Sequence, residues 1–280
     1  MAAKPSGNGD PISGMKLFAE ELAAQRAKRK WTQVETADKL GYSNTYLSEV
    51  EREIKVPSPD FATQCDMVFG CPETFVRLLA VAKLTLFPDY FAQVVPYEEK
   101  AIRINGWELG SVPGLLQTED YTRSLIRATL HDATNDRVET IVAARMARQE
   151  IHTKENPPKL WYVIDESALQ RMVGGAPAMA RQMGRLIEAT SVPGNVIQVL
   201  PFANATGIGT PGPIAVYEFE AGQPVVAYAE CYHGGRLIDA PEEVAAALTD
   251  LSLIRMHALS PAASTEFLER HRREYEQRVA

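Results

Sequence analysis

The spacing of apolar positions changes character along the chain, and each change predicts a different kind of element. From Met15 to Leu84 apolar residues recur every three or four positions, the period of one helical face. Phe18 and Leu22 lie one turn apart in a first helix over Met15 to Lys30, and Trp31 closes its small core. In TQVETADKLGYSNTYLSEVE (Thr32 to Glu51), Val34, Ala37 and Leu40 follow at i, i+3 and i+6, while Leu47 and Val50 mark the inward side of the next helix. Thr32 can cap the former with Glu35 closing a capping box. Gly41 suits the left-handed turn between them, and Ser43 can cap the latter. Ser58-Pro59-Asp60 combines an N-cap, a proline and an acid at a fourth helix start. Phe61, Met67, Val68 and Phe69 are its inward positions and Gly70 its end. Pro72 to Leu84 predicts a fifth helix with Phe75, Leu78 and Leu79 apolar.

Beyond Phe87-Pro88-Asp89-Tyr90 the periods mix. Helix is expected to about Ile104, from Thr118-Glu119-Asp120 to Leu130, from Asp136 to Glu150, after Asp165 to Met172, and over Pro177 to Thr190. Lys159 to Asp165, Val196 to Leu200, Ile214 to Phe219 and Val225 to Ala229 are β-branched or aromatic runs that predict strands. Pro241 to Ala258 and Ser260 to about Arg272 return to helix. The expected organisation is a disordered tail (1–14), an all-α five-helix domain with a helix-turn-helix (15–84), and a mixed α+β domain (85–280). No internal repeat is visible.

Two short helices around one glycine form the arrangement whose second helix enters the major groove of DNA. Its outward residues are Asn44, Thr45, Ser48 and Glu49. Asparagine can pair with adenine N6/N7, a threonine methyl can meet thymine, and glutamate can accept from cytosine N4, so Asn44, Thr45 and Glu49 are the candidate base readers, with Ser48 in reserve. Gln33 and Ser43 at the two helix starts suit phosphate. Arg29 and Lys30 in the basic run Arg26–Lys30, with Arg52 and Lys55 on the other side, are further phosphate candidates. The alternative for all of them is a solvated helix surface.

The same stretch resembles the lambda-repressor, or XRE, type of helix-turn-helix. The carrying residues are Thr32-Gln33, Ala37, Leu40-Gly41, Tyr46-Leu47-Ser48-Glu49-Val50-Glu51-Arg52 and Pro57-Ser58. Thr36 stands where that family usually carries leucine and Glu53 where it carries glycine, which implies a thinner core and a strained or rebuilt loop. The resemblance also implies a buried ion pair between Arg26 and Glu51. Their positions agree: Arg26 lies one turn beyond Leu22, and Glu51 follows inward Val50.

Charge complicates the picture. The chain carries 29 Lys+Arg against 36 Asp+Glu, a net charge of −7, whereas phosphate neutralisation supplies much of DNA affinity. Residues 1–80 hold 10 basic and 11 acidic residues by count, so most of the excess acid lies further on. A modest basic footprint predicts weak non-specific binding and dependence on a homodimer, with the surplus apolar residues Phe267 and Leu268 of the C-terminal helix as candidates to carry it.

Three cysteines (Cys65, Cys71, Cys231) without metal-type spacing read as reduced thiols. With no signal peptide and no apolar run of bilayer length, a cytoplasmic protein is expected. Glu230, Cys231, Tyr232 and His233 invite a Cys-His nucleophile, but the adjacent acid opposes a thiolate and no oxyanion hole is visible. His131 and His233 lack partners at metal spacing. The glycine-rich stretch from Gly207 to Gly212 precedes a strand and contains Pro211, so a hairpin connection is expected rather than a phosphate loop. Neither an enzyme, a cofactor nor a metal is expected.

Val112-Pro113-Gly114-Leu115-Leu116-Gln117-Thr118-Glu119-Asp120-Tyr121, Arg145-Met146-Ala147-Arg148-Gln149, Val163-Ile164-Asp165-Glu166 with Leu169, and Val199-Leu200-Pro201-Phe202 together resemble the C-terminal domain of an actinobacterial group of regulators that includes WhiJ-like proteins. The resemblance implies a DNA-binding regulator, in an antitoxin-like or developmental-switch setting, with a short partner protein of the BldB type. Leu115 and Leu116 are either core or an interface element that receives such a partner. Three readings follow: an operator-binding transcription regulator, an antitoxin-like interaction module with little DNA binding, and a small-molecule sensor.

Overall fold

The computed structural model describes residues 14–85, 89–205, 212–231 and 234–278. The expected disordered tail, apart from Gly14, lies outside them, as do most of the glycine-rich stretch (206–211) and His233. The chain forms two compact units: the described part of Met1–Ala92 together with Asn135–Ala144, and Gln93–Thr134 together with Arg145–Ala280.

The first unit contains α1 (Gly14–Lys28), α2 (Gln33–Leu40), α3 (Asn44–Glu51), α4 (Pro59–Phe69), α5 (Thr74–Thr85) and α6 (Asp89–Ala92). Phe18, Leu22, Ala37, Leu40, Leu47, Val50, Phe61, Phe69 and Phe75 form one buried core. Phe18 meets Phe75 edge-on at 5.1 Å between ring centroids, an arrangement that suits the opposite charges of ring face and edge. Two inward assignments fail. Val34 is 55% exposed and Met67 60% exposed. In α2 the buried residues are Thr36, Ala37 and Leu40, a stripe one position round from the expected one. Thr36 fits there because its hydroxyl donates to the Thr32 carbonyl at 2.8 Å, which satisfies the polar atom within the helix.

The second unit contains α7 (Val95–Lys100), β1 (Arg103–Glu108), α8 (Glu119–Thr129), the end of α9 (Asn135–Arg148), β2 (Lys159–Asp165), α10 (Glu166–Gln170), α11 (Gly175–Thr190), β3 (Val196–Leu200), β4 (Ile214–Glu218), β5 (Val226–Cys231), β6 (Gly234–Ile238), α12 (Pro241–His257) and α13 (Pro261–Gln277). The expectation of helix to Ile104 is corrected: the helix stops at Lys100 and a strand follows. The six strands form one sheet in the order β3-β2-β1-β4-β5-β6. β1, β2 and β3 run parallel, which their intervening helices allow, and β4 to β6 add antiparallel neighbours. The fold is therefore α+β, as the sequence pattern predicts.

Strand register separates the two sheet faces. One carries Trp107, Val163, Leu200, Val216 and Ala227, covered by Ala247, Leu251 and Ile254 of α12. The other carries Ile104, Tyr162, Tyr217 and Tyr228, all buried. Phe267 and Leu268 are buried on α13, and Tyr275 of that helix donates its hydroxyl to the Leu169 carbonyl. They are core residues of the second unit, not the surplus apolar surface assigned to them. Leu115 and Leu116 are likewise buried, in a single 3-10 turn, so neither offers a groove to a partner.

Candidate nucleic-acid interface

The geometry of α2 and α3 follows from their ends. Glu35 N–H donates to the Thr32 hydroxyl at 3.2 Å, and the Glu35 carboxylate accepts from Thr32 N–H at 2.8 Å. Donation from Thr32 N–H, and from the Thr32 hydroxyl at 2.9 Å, holds the Glu35 carboxyl below the usual carboxylate range. Gly41 adopts φ 76° and closes α2. Ser43 accepts from Tyr46 N–H at 3.1 Å and opens α3. Its hydroxyl is thus occupied as a cap.

One carboxylate ties these elements to α1. Glu51 accepts from Arg26 Nε at 2.7 Å, Arg26 Nη2 at 3.2 Å and Gln33 Nε2 at 2.6 Å. A planar guanidinium can hold both oxygens at once, which fixes orientation as well as distance. The Glu51 side chain is 8% exposed, that of Arg26 24%. Gln33, assigned to phosphate from sequence, therefore spends its side-chain amide inside the unit. Its backbone N–H remains in the first turn of α2, where no acceptor exists within the helix.

Arg29 also has a different employment from the one expected. Its guanidinium donates to Gln25 Oε1 at 2.7 Å, to the Gln25 carbonyl at 3.2 Å and to the Phe69 carbonyl. It lies over the rings of Trp31 and Phe69 at 5.6 and 5.0 Å. Those contacts pin α1 to the end of α4. Lys30 and Arg52 are exposed.

On α3, Asn44 and Thr45 are exposed, while Ser48 and Glu49 are half-buried. Asn44 and Ser48 share one side at i, i+4, and Thr45 and Glu49 share the next. Glu49 is paired with Lys55 at 3.4 Å, and Lys55 sits over the Tyr46 ring at 4.8 Å. The pair is exposed enough to add little stability, and it leaves the base-reading and phosphate roles assigned to these residues in competition with each other. After α3, Glu53 has φ 61°, the left-handed conformation that usually falls to glycine. Its carbonyl accepts from the Thr140 hydroxyl at 2.7 Å. Sequence reasoning missed Thr140, and no local signal marks it, because the contact joins positions 87 residues apart.

The buried Cys65 thiol is pushed well up by burial, and that of Cys71 is raised by the same cause, so neither is a ready nucleophile. Among the described residues no group of three or more His, Cys, Asp or Glu is placed to hold a metal. No helix among them is long and apolar enough to cross a membrane.

A capped two-helix motif with a braced second helix and polar residues along its free side defines a helix-turn-helix DNA-binding domain of the XRE type. Residues 22–76 match the helix-turn-helix family model. Residues 91–270, well over half the chain, match the family described as Domain of unknown function (DUF5753), and the chain belongs to that family. No curated protein and no solved structure matches it.

Proposed function

We propose that this DNA-binding regulator is a sequence-specific repressor that acts as a homodimer in the cytoplasm, and that its α+β domain sets operator affinity by binding a further molecule. The observation that carries the reading is α3 itself. Exposed Asn44 and Thr45 stand on a helix whose far end is anchored through Glu51, so side chains at the helix start are presented from a fixed base. Asn44, Thr45, Ser48 and Glu49 read bases; Lys30 and Arg52, with the backbone N–H groups of Gln33 and Ser43, meet phosphates. The resemblance to WhiJ-like regulators supports a short partner protein of the BldB type as one molecule that the α+β domain receives.

The near-neutral charge of residues 1–80 favours a second reading, an antitoxin-like interaction module with little DNA binding of its own. A mobility-shift assay on the chain's own upstream region, repeated across salt concentrations, separates the two. A salt-sensitive, sequence-selective shift is expected. No shift at low salt, together with a stable protein partner recovered by pull-down, would establish the second reading instead.

A further inference from the structure

The outward side of α12 carries apolar surface that nothing among the described residues covers. Val244, Ala247, Leu251 and Ile254 are the buried residues of this helix, on the side turned to the sheet. At 3.6 residues per turn the opposite side is a stripe of Ala245, Ala246, Thr249, Ser252, Leu253 and Met256, all exposed. Leu253 is 51% exposed and Met256 79%. A helix on a protein surface ordinarily turns charged residues outward. Here the charged residues between the helix ends, Asp250 and Arg255, stand to either side of the stripe.

The two hydroxyls on the stripe are turned back onto the helix. Thr249 donates to the Ala245 carbonyl at 2.9 Å, and Ser252 donates to the Leu248 carbonyl at 2.7 Å. Both polar atoms are thereby satisfied locally, so the stripe can leave water without stranding a donor. Phe202, 51% exposed, extends the apolar surface at the C-terminal end of the helix. There Asn204, from the same turn as Phe202, donates to the His257 carbonyl at 3.1 Å.

We propose that this stripe is the homodimer seam, with α12 packed antiparallel on α12 of a second copy about a twofold axis at Thr249. The inference rests on the homodimer reading and names the surface that carries it. Two asymmetries of the helix select a second copy as the occupant. The first is size: the N-terminal half of the stripe holds Ala245 and Ala246, the C-terminal half Leu253 and Met256. An antiparallel copy sets Leu253 into the hole between Glu242, Ala245, Ala246 and Thr249 of its partner, and the twofold repeats the contact. A parallel copy would set alanine on alanine and Met256 on Met256. The second asymmetry is charge. The first turn holds Glu242 and Glu243, the last turn Arg255 and His257. Arg255 spends its guanidinium on Asn105 and the Trp161 ring, which leaves exposed His257 to meet Glu242 of the other copy. Antiparallel packing thus opposes unlike ends and unlike helix dipoles, whereas parallel packing would oppose like charges. Asp250 lies off the seam, and the two copies of its carboxylate would stand about 10 Å apart in solvent, a separation that salt screens. The end charges set the orientation, and the apolar seam supplies the affinity.

Sedimentation equilibrium of the full chain, without DNA, tests the seam. One helix pair is a small interface, so a monomer–dimer equilibrium in roughly the micromolar range is expected. Leu253→Glu should weaken it by at least about thirtyfold, because each dimer buries that side chain twice. Thermal melts confirm that the variant folds. Crosslinking supplies a readout of position. In a Cys231→Ser background, Thr249→Cys meets its own copy at the axis and should form a covalent dimer under mild oxidation. Ala262→Cys, exposed on α13, should not. A folded Leu253→Glu chain that dimerises like the wild type would overturn the seam and put the dimer contact elsewhere. So would a Thr249→Cys chain that crosslinks no faster than Ala262→Cys. A wild-type chain that is monomeric at every concentration would overturn the seam and the homodimer reading together.

Discussion

Glu51 is the residue on which the DNA-binding unit depends most. Its carboxylate gathers Arg26 and Gln33 from two other segments, so its loss strands a charged group rather than merely deleting a bond. Removing one member of a buried pair costs about 3–5 kcal/mol. The partial exposure of Arg26 places Glu51→Ala at about 3 kcal/mol, the low end of that range. Chemical denaturation should show the loss in the first unit, and operator binding should fall with it. Wild-type stability in this variant would contradict the role. Glu108 gives a pH signature. Burial, with the Glu230 carboxylate beside it, pushes its carboxyl from about 4.5 to about 8. Between those values the folded chain keeps a proton that the unfolded chain has released, so the group's contribution to stability declines as pH rises through the window. Glu108→Gln should flatten that decline and be the more stable protein above pH 8. Denaturation midpoints on both sides of the window check this. An unchanged pH slope would mean that Glu108 titrates normally.

At the scale of elements, local chemistry accounts for what the sequence reveals. The Thr32–Glu35 capping box, the Gly41 turn and the Ser43 and Ser58 caps are decided within a few residues, and these boundaries were legible. The ion pair of Arg26 with Glu51 became legible through resemblance and through helical phase. β1 was not legible, because RINGWE places asparagine and glycine where strand propensity is low. The reason for Gly106 lies on another strand, in the Tyr162 ring that covers it. The phase of α2 was misread because a threonine that bonds its own backbone passes for a surface residue. That Glu108, Tyr162 and Tyr217 lie on one face of the sheet follows only from strand register, which short-range periodicity does not encode. Gly106→Ala tests the close approach. The added methyl must displace the Tyr162 ring, at a cost of about 1–3 kcal/mol, read by denaturation of the full chain. A neutral result would show that the ring has room to move.

For the whole molecule, charge and symmetry set the expectations. A net charge of −7 leaves little general attraction to DNA, so useful affinity must come from specific contacts and from two copies acting together. A homodimer should protect two half-sites about one helical turn, or a multiple of it, apart. Since Phe267 and Leu268 are spent inside the second unit, substituting them should unfold that unit rather than yield a folded monomer. Sedimentation and footprinting together test this: a monomer protecting a single half-site would contradict the dimer. The most direct test of the central claim compares Asn44→Ala with Arg52→Ala by fluorescence anisotropy, on the operator and on a scrambled duplex. Asn44→Ala should lose about 1–3 kcal/mol on the operator and little on the scrambled duplex. Arg52→Ala should weaken both alike and reduce the salt slope by about one ion. If both substitutions acted equally on every sequence, or on none, α3 would not be the element that reads DNA.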